Sequence, residues 1–314
     1  RRLGVPVVDV RCRRKFQDMP RVDTDDRLVA KLAFEHLRSL GFVRFAFCGY
    51  RSIHYSTNRL KFFREFVLEA GFSLSVYESE LDADGSVTGT ERYGLFDQPA
   101  VSAWLETLQR PTGLLACNDI RGHQVLQACR ISGIEVPDSL AVVGVDDDDV
   151  ICPVCDPPLT SVRPNAERIG MRAAELLGEL LKGAPVDSRL ELIPPSAVTC
   201  RLSTQVRASD DPKVAMACRF IREHSCDGID VKDVVDQSKI SRRQLERRFR
   251  DALGRSPHQE ITATRIAHVK QLLAESTMTL EEIAPLAGYC HKEQLCTVFK
   301  RETGHTPTQY RTSQ

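Results

Sequence analysis

The sequence predicts an α/β unit with parallel strands over residues 1–202, followed by an all-helical unit over residues 212–314. Strand-like and helix-like segments alternate in the first unit, and such alternation is typical of parallel sheets that carry helices on both faces. Beyond Pro212 the apolar residues recur at helical spacing instead. Between the units lies the polar segment 203–211, which we expect to act as a linker.

Composition narrows the class of protein. The chain of 314 residues is 42% hydrophobic and 27% charged, which is ordinary for two or three globular domains. It has no apolar run long enough to span a membrane, and its first residues lack the features of a signal peptide. The eleven cysteines are odd in number and follow no framework spacing, which favours free thiols in a reducing cytoplasm. We therefore expect a cytoplasmic protein.

The elements of the α/β unit follow from apolar patterns and their stop signals. Val5–Val10 predicts a strand at the very start, so we expect the first strands of this unit to be missing from the sequence. Residues 26–40 carry apolar side chains at helical spacing and stop at Gly41, a typical helix C-cap. The later predicted elements are strand 44–48, helix 58–70, strand 74–77, helix 100–108, strand 113–117, helix 120–132, strand 141–145, helix 166–181 and strand 190–193.

The helical unit contains one plan twice, a helix–turn–helix motif. The second helix of each motif keeps one apolar stripe and ends at a glycine. That stripe would pack the helix onto its own domain and leave the opposite face free to enter a DNA major groove. The predicted segments are helix 231–237, turn 238–240 and helix 241–253, then helix 280–287, turn 288–290 and helix 291–303.

Charge is distributed unevenly along the chain. The formal net charge is zero, yet the segment from Lys239 to Arg255 holds seven cations and two anions. Local charge determines the attraction to phosphates, so the zero total does not argue against nucleic acid. The sequence therefore predicts that double-stranded operator DNA is a partner.

The helical unit resembles the arabinose-regulator family of transcription factors. The resemblance is carried by SRRQLERRFRDALGRSP (241–257), RIAHVKQLL (265–273) and LEEIAPLAGYCHKEQLCTVFKRETGHTPTQYR (280–311). It covers about a third of the chain. It implies that the base-facing positions are Arg243, Glu246 and Arg247 in the first motif, and Lys292, Glu293, Cys296 and Thr297 in the second.

The residue types suit this role in the first motif. Arg243 and Arg247 lie four residues apart and so share one helical face. Arginine presents a two-pronged donor to guanine, worth about 1–3 kcal/mol of discrimination. Glu246 could accept from a cytosine amino group, or it could pair with Arg242 or Arg250 one turn away. Both alternatives for Glu246 remain open at this point.

Other cations are expected to meet the DNA backbone. Most protein–DNA hydrogen bonds go to phosphates and sugars, so we assign Arg242, Arg248 and Arg250 to that role. The second motif is less basic, with Lys292 and Lys300 as its candidate contacts. We expect its recognition to be weaker or to depend on DNA shape.

The α/β unit resembles the sugar-binding core of the lactose-repressor family, which is related to periplasmic sugar-binding proteins. The resemblance is carried by GVPVVDV (4–10), HLRSLGFVRFAFCG (36–49), NRLKFFREFVLEAGF (58–72), LLACND (114–119), GIEVPDSLAVVGVDD (133–147) and PPLTSVR (157–163). It implies a periplasmic-binding-protein-like core with parallel sheets in two lobes, incomplete at its amino terminus. It also implies that Arg59, Asn118 and Asp146 contact the sugar.

Those three side chains suit an uncharged polyol, which needs polar groups that donate and accept in pairs. Arg59 donates, Asp146 accepts, and Asn118 can do both. We expect the neighbouring Asp119 to cap the helix that starts at Ile120 instead of binding ligand.

The domain order, sugar core first and paired helix–turn–helix motifs last, resembles that of bacterial xylose operon regulators. This resemblance implies a sugar-responsive activator of pentose catabolic genes, with D-xylose as effector, a homodimeric state and a contact to RNA polymerase. The alternative is a DNA-binding regulator whose α/β part is only a dimerisation scaffold or senses a different sugar.

Catalysis and metal binding find little support in the sequence. No nucleophile–base motif or phosphate-binding loop appears, so we expect neither an enzyme nor a cofactor. The run from Asp146 to Asp149 lacks the spacing of a calcium loop, and the single pair Cys152 and Cys155 cannot fill a tetrahedral site. We therefore expect no metal site.

Overall fold

In the computed structural model the chain divides into two units, Arg1–Gln205 and Val206–Gln314. The structure describes residues 5–10, 19–51, 53–79, 97–183, 189–205 and 211–312, without the side chains of Ala274 and Glu275. Much of the expected linker, residues 206–210, lies outside the described ranges. Its first residues, Ser203 and Thr204, are buried in the α/β unit.

The strands of the first unit form two sheets within the described residues. A six-stranded sheet has the order β3-β2-β4-β5-β6-β8, and a two-stranded sheet pairs β1 with β7. All pairings are parallel except that of β6 with β8. The strands are β1 (Arg21–Thr24), β2 (Phe45–Tyr50), β3 (Leu74–Ser79), β4 (Thr112–Ala116), β5 (Leu140–Val145), β6 (Thr160–Arg163), β7 (Leu190–Ile193) and β8 (Ala197–Thr199).

Helices connect these strands as the alternating pattern predicts. The central strands β2, β4 and β5 are buried along their whole length, because helices cover both faces of the sheet. Within the described residues the helices are α1 (Asp26–Ser39), α2 (His54–Glu69), α3 (Gln98–Glu106), α4 (Asp119–Ile131), α5 (Ile151–Val154) and α6 (Ala166–Leu181).

Three features of this unit differ from the sequence-based expectation. Val5–Val10 is not a strand, since within the described residues only Asp9 forms a bridge, to Arg21. The strands β1 and β6 were not expected, because each has only four residues and little apolar periodicity. The strand β8 runs antiparallel, so the sheet is not wholly parallel.

The helical unit begins with α7 (Pro212–His224) and then repeats one arrangement twice. Its further helices are α8 (Val231–Ser238), α9 (Arg242–Leu253), α10 (Pro257–Glu275), α11 (Leu280–Leu286), α12 (Lys292–Thr303) and α13 (Pro307–Thr312). The long α10 separates the two helix–turn–helix motifs. Each motif has its own apolar core: one forms around Leu245 and Phe249, and the other around Leu295 and Phe299.

Capping residues fix where these helices start and stop. Ser241 caps α9 by accepting from the backbone N–H of Gln244, whose side-chain oxygen accepts from Ser241 in return. The same reciprocal pair starts α10 at Ser256. Both α9 and α12 end at a glycine in the left-handed conformation, Gly254 and Gly304, where a side chain would be strained.

A buried ion pair holds the start of α3 against the sheet. The fully buried Arg121 pairs with Asp97 at 3.0 Å, and its guanidinium lies over the rings of Tyr50 and Tyr77. The Tyr77 hydroxyl donates to the same carboxylate at 2.5 Å. Removing one partner would leave the other charge buried and uncompensated.

We therefore expect Arg121→Met to lower the free energy of unfolding of the α/β unit by about 3–5 kcal/mol. The chain has one tryptophan, Trp104 in α3, so its fluorescence during urea unfolding follows this unit alone. The matched control is Arg27→Met, which breaks a partly exposed ion pair with Glu65 and should cost less than about 1 kcal/mol. Equal losses of unfolding free energy in the two variants would show that the buried pair of Arg121 with Asp97 contributes no more than a partly exposed ion pair.

Burial also makes the stability of this unit depend on pH. The ring of His36 in α1 lies 2.9 Å from the Thr204 hydroxyl, and burial lowers its pKa from 6.5 to about 4. The unfolded chain therefore takes up a proton that the folded chain refuses, and stability is lost as the pH falls through this window.

Relative to His36→Gln, the natural protein should lose about 2 kcal/mol of stability between pH 7.5 and pH 5. Urea unfolding followed by Trp104 fluorescence measures this difference. A difference between the two proteins that does not vary with pH would show that His36 is not held neutral.

Candidate functional site

The helix α9 separates an apolar face from a basic face. Leu245 and Phe249 are fully buried in the core of the first motif. Arg243, Arg247 and Arg250 are exposed, and among the described residues their guanidinium groups make no hydrogen bond or ion pair. These three groups are therefore available to an external partner.

Ion pairs occupy the other arginines of this segment. Arg242 donates to Glu246 at 3.0 Å, so the structure shows the helical pair that was one alternative for Glu246. Arg248 pairs at 2.7 Å with Asp211, the residue that caps α7. This ion pair ties two helices of the unit together, and the assignment of Arg248 to DNA phosphates stays a prediction.

The helix α12 repeats this arrangement with fewer available charges. Lys300 and Glu293 are exposed, whereas Lys292 pairs with Glu281 of α11. The Thr297 hydroxyl donates to the Glu293 carbonyl of its own helix. Cys296 is half-buried against the core of the second motif. The second helix therefore presents a weaker electrostatic attraction than the first.

Contacts around α10 join the two motifs. Arg265 in α10 donates to the carbonyls of Ser225 and Ile229, which lie just before the first motif. Its guanidinium also lies 5.8 Å from the ring centre of Tyr289 in the second turn. At Gly288 a side chain would come within 2.8 Å of the Ser225 carbonyl, so only glycine allows this close packing.

The second candidate site lies at the carboxyl edge of the six-stranded sheet. Asn118 follows β4, Asp146 follows β5, and Arg59 projects from α2 beside them. The Arg59 Nη2 and Asp146 Oδ1 atoms are 3.8 Å apart. Asn118 donates to the Tyr55 hydroxyl at 3.3 Å, and the Tyr55 ring lies against Arg59. The structure thus brings together the three residues expected to bind a sugar.

Buried partners hold Arg59 in place. Its Nε donates to Asp26 at 2.9 Å, and its Nη1 donates to the Cys117 carbonyl at 2.5 Å. Burial lowers the pKa of Arg59, but the carboxylates of Asp26 and Asp146 raise it overall, so the guanidinium stays charged. The carboxylate of Asp146 is half-exposed, with 51% of its side chain accessible. It is the member of this group that solvent reaches most easily.

The cap of α4 lies one residue earlier than expected. Asn118, and not Asp119, accepts from the backbone N–H of Arg121. Asp119 instead accepts from the Ser161 hydroxyl at 2.6 Å and from the Asp148 amide at 2.8 Å. Because burial is the main influence on it, the pKa of Asp119 rises to about 6. The helix begins at Asp119, so the residue before it takes the capping position.

Asp26 is the residue of this site that the sequence analysis missed. It is the first residue of α1, and its carboxylate also accepts from the Asn58 amide at 3.2 Å. Burial raises the pKa of Asp26, although Arg59 lowers it. The available signal was an acidic residue at the start of a predicted helix, and it is weak because helix starts favour acidic residues anyway.

The remaining features concern metal ions and membranes. The described residues contain no group of three or more His, Cys, Asp or Glu side chains that could hold a metal ion. Cys155 of the Cys152–Cys155 pair lies 3.5 Å from the ring of His123. Throughout the described part of the chain, every helix is too short or too polar to cross a membrane.

Comparison with curated proteins identifies close relatives across both units. The xylose operon regulatory protein of Haemophilus influenzae is 33% identical over 299 residues, which cover 94% of this chain and 76% of that protein. The protein of the same name from Escherichia coli K12 is 34% identical over 293 residues, which cover 92% of this chain and 73% of that protein. The chain belongs to the family of xylose operon regulatory proteins.

Other comparisons agree with this family. Residues 34–204 match the periplasmic binding protein-like domain, and residues 234–313 match a helix-turn-helix domain. The solved structure of a xylose-binding transcription activator, xylR, superposes with a TM-score of 0.74 at 32% identity, covering 99% of this chain and 82% of that one. A lac repressor dimer shares the fold of the first unit, with a TM-score of 0.52 at 23% identity. As a member of this family, the protein is a DNA-binding transcription regulator.

We expect substitutions of the unpaired arginines of α9 to affect DNA binding in two different ways. Arg247→Ala should cost about 1–3 kcal/mol on the preferred site and relax preference at one base pair, because a base contact carries sequence information. Arg250→Ala should weaken binding to every sequence evenly and reduce the salt dependence. Selection from a random-sequence DNA library, followed by titrations at several salt concentrations, separates the two effects.

Arg172→Ala in α6 of the α/β unit serves as the control, since its ion pairs lie within that unit. If Arg247→Ala weakened all sequences to the same extent, the residue would be a phosphate contact.

Proposed function

We propose that this protein is a D-xylose-responsive activator of pentose catabolic genes. The observation that carries the proposal is the convergence of Arg59, Asn118 and Asp146 at one sheet edge, in a chain that also presents two helix–turn–helix motifs. A sugar site and a DNA-binding face in the same chain imply that one regulates the other. The names of the relatives favour xylose as the sugar.

The sugar site offers the groups that a pentose requires. Asp146 would accept hydrogen bonds from sugar hydroxyls, and Arg59, held by Asp26, would donate to sugar oxygens. Asn118 would turn part of its hydrogen bonding from Tyr55 to the sugar. The Tyr55 ring would supply the apolar wall on which a pyranose can pack.

In the proposed regulation, the sugar bridges the two lobes of the core and favours the closed form. Closure would alter the arrangement of two copies of the chain and so the placement of their DNA-binding units. A ligand shifts such a balance only by its difference in affinity between the forms, typically about 1–3 kcal/mol of coupling. RNA polymerase would then be the partner recruited at the promoter.

On DNA, the base-facing positions proposed for α9 are Arg243, Glu246 and Arg247. Glu246 would exchange its pair with Arg242 for a base contact, or would keep it and orient that arginine toward a phosphate. In α12 we propose Lys292, Glu293, Cys296 and Thr297 at the groove, with Lys300 at the backbone. We propose the domain limits 1–202 and 212–314, with 203–211 as the linker.

The proposal predicts that D-xylose changes the affinity for operator DNA and that Asp146→Ala abolishes this change while basal operator binding persists. The matched control is Asp149→Ala, which removes an exposed carboxylate from the same acidic run. Fluorescence anisotropy with a labelled duplex, with and without sugar, measures both quantities. A full sugar response in the Asp146 variant would rule out its role.

Calorimetry with xylose, arabinose, ribose and glucose tests the choice of sugar. Heat with xylose alone supports the proposal, whereas heat with another pentose would reassign the effector. If no sugar produced heat, the α/β unit would be a dimerisation scaffold, and the regulatory part of the proposal would fail.

A further inference from the structure

Asp147 follows the proposed sugar contact Asp146, but its side chain is buried inside the protein. Asp146 lies beside Arg59 with its carboxylate half-exposed, whereas the Asp147 side chain is fully buried. Both residues have positive backbone φ angles, 116° and 52°, in a region that non-glycine residues rarely adopt. Such a conformation persists only where the surroundings hold it, and the partners of Asp147 supply that hold.

Asp147 binds the last segment of the α/β unit, Ala197–Gln205, which we call the exit segment. Its Oδ2 accepts from the Thr199 hydroxyl at 2.7 Å, and its Oδ1 accepts from Arg201 Nη1 at 2.7 Å. Burial raises the pKa of Asp147, but the bonds from Thr199, Arg201 and Arg163 lower it below its ordinary value. The carboxylate is therefore charged when it holds the exit segment.

Further hydrogen bonds fasten the exit segment to strands β5 and β6 of the sheet. The Arg201 amide donates to the Thr160 hydroxyl at 2.8 Å, and the Ser203 hydroxyl donates to the Val142 carbonyl at 2.7 Å. The segment includes β8 and a short 3-10 helix, Leu202–Thr204. In the sequence the helical unit follows Gln205, so the exit segment is the last described part of the α/β unit before it.

We propose that Asp147 is the positioning residue through which the occupied sugar site acts on the exit segment, and thereby on DNA binding. A sugar held by Asp146 restrains the backbone of residues 146 and 147, because adjacent residues share a peptide plane. That restraint orients the Asp147 carboxylate toward Thr199 and Arg201. The inference rests on the proposed sugar response and adds the route by which that response leaves the sugar site.

Arg163 provides a matched control for this route. It donates to the same carboxylate at 2.6 Å, yet it lies on β6 and not on the exit segment. If Asp147 only needs a positive partner for stability, loss of either arginine should have the same effect. If Asp147 transmits the signal, only the partners on the exit segment should matter.

The test uses the full chain, D-xylose and a duplex selected by the natural protein from a random-sequence library. We define the coupling ratio as the operator Kd without xylose over the Kd with saturating xylose, or its inverse if larger. A ratio of about 5–150 is typical of such linkage. Arg201→Met and Thr199→Val should each reduce this ratio at least threefold while the xylose Kd, measured by calorimetry, changes less than threefold. Arg163→Met should keep the ratio within twofold of the natural protein.

Each possible outcome either supports or overturns the proposed route through Asp147. Unchanged ratios in Arg201→Met and Thr199→Val, or an equal loss in Arg163→Met, would overturn the route through Asp147 while leaving the sugar response intact. If xylose gave no heat with the natural protein and its coupling ratio were one, the proposed function would be overturned, and the route with it. Thr199→Val removes a single hydroxyl at nearly constant volume, so it remains decisive if Arg201→Met does not fold.

Discussion

A charge buried in a protein must be paired, and this constraint organises the α/β unit. Three buried charges, Arg59, Arg121 and Asp147, are each held by side chains from other elements. Because desolvation of an unpaired ion costs several kcal/mol, these pairs determine where the connecting segments can lie. They cluster toward the carboxyl edge of the sheet, where the polar groups for a ligand also converge. The architecture and the candidate sugar site thus depend on the same interactions.

In the helical unit, ion pairs within the protein engage some arginines and leave others unpaired. The segment around α9 is strongly basic, but Arg242 and Arg248 are engaged by Glu246 and Asp211. The charges that remain available, such as Arg243 and Arg247, lie on the face opposite the apolar core. A charge count alone therefore does not show which of these groups are unpaired in the folded unit, and the structure does.

Most elements could be predicted because their signals are local. Helical periodicity with glycine stop signals located α1, α6 and α9 to within a residue or two. The errors fell where pairing across the fold decides the outcome. The strand β8 pairs with β6 in the antiparallel direction, and Val5–Val10 makes only a single bridge, from Asp9 to Arg21, among the described residues. A short segment becomes a strand only when a neighbour completes its hydrogen bonds.

The sequence by itself determined the order of the two units and the repeated helix–turn–helix plan, because motif spacing and periodicity are local properties. Arg59, Asn118 and Asp146 became candidates through the resemblance to the lactose-repressor family. Only the tertiary structure decided which of these groups meet. The contact between Arg59 and Asp146 joins residues that are 87 positions apart in the chain. The carboxylate of Asp26 and the exit segment on Asp147 likewise depend on long-range packing, which no local pattern records.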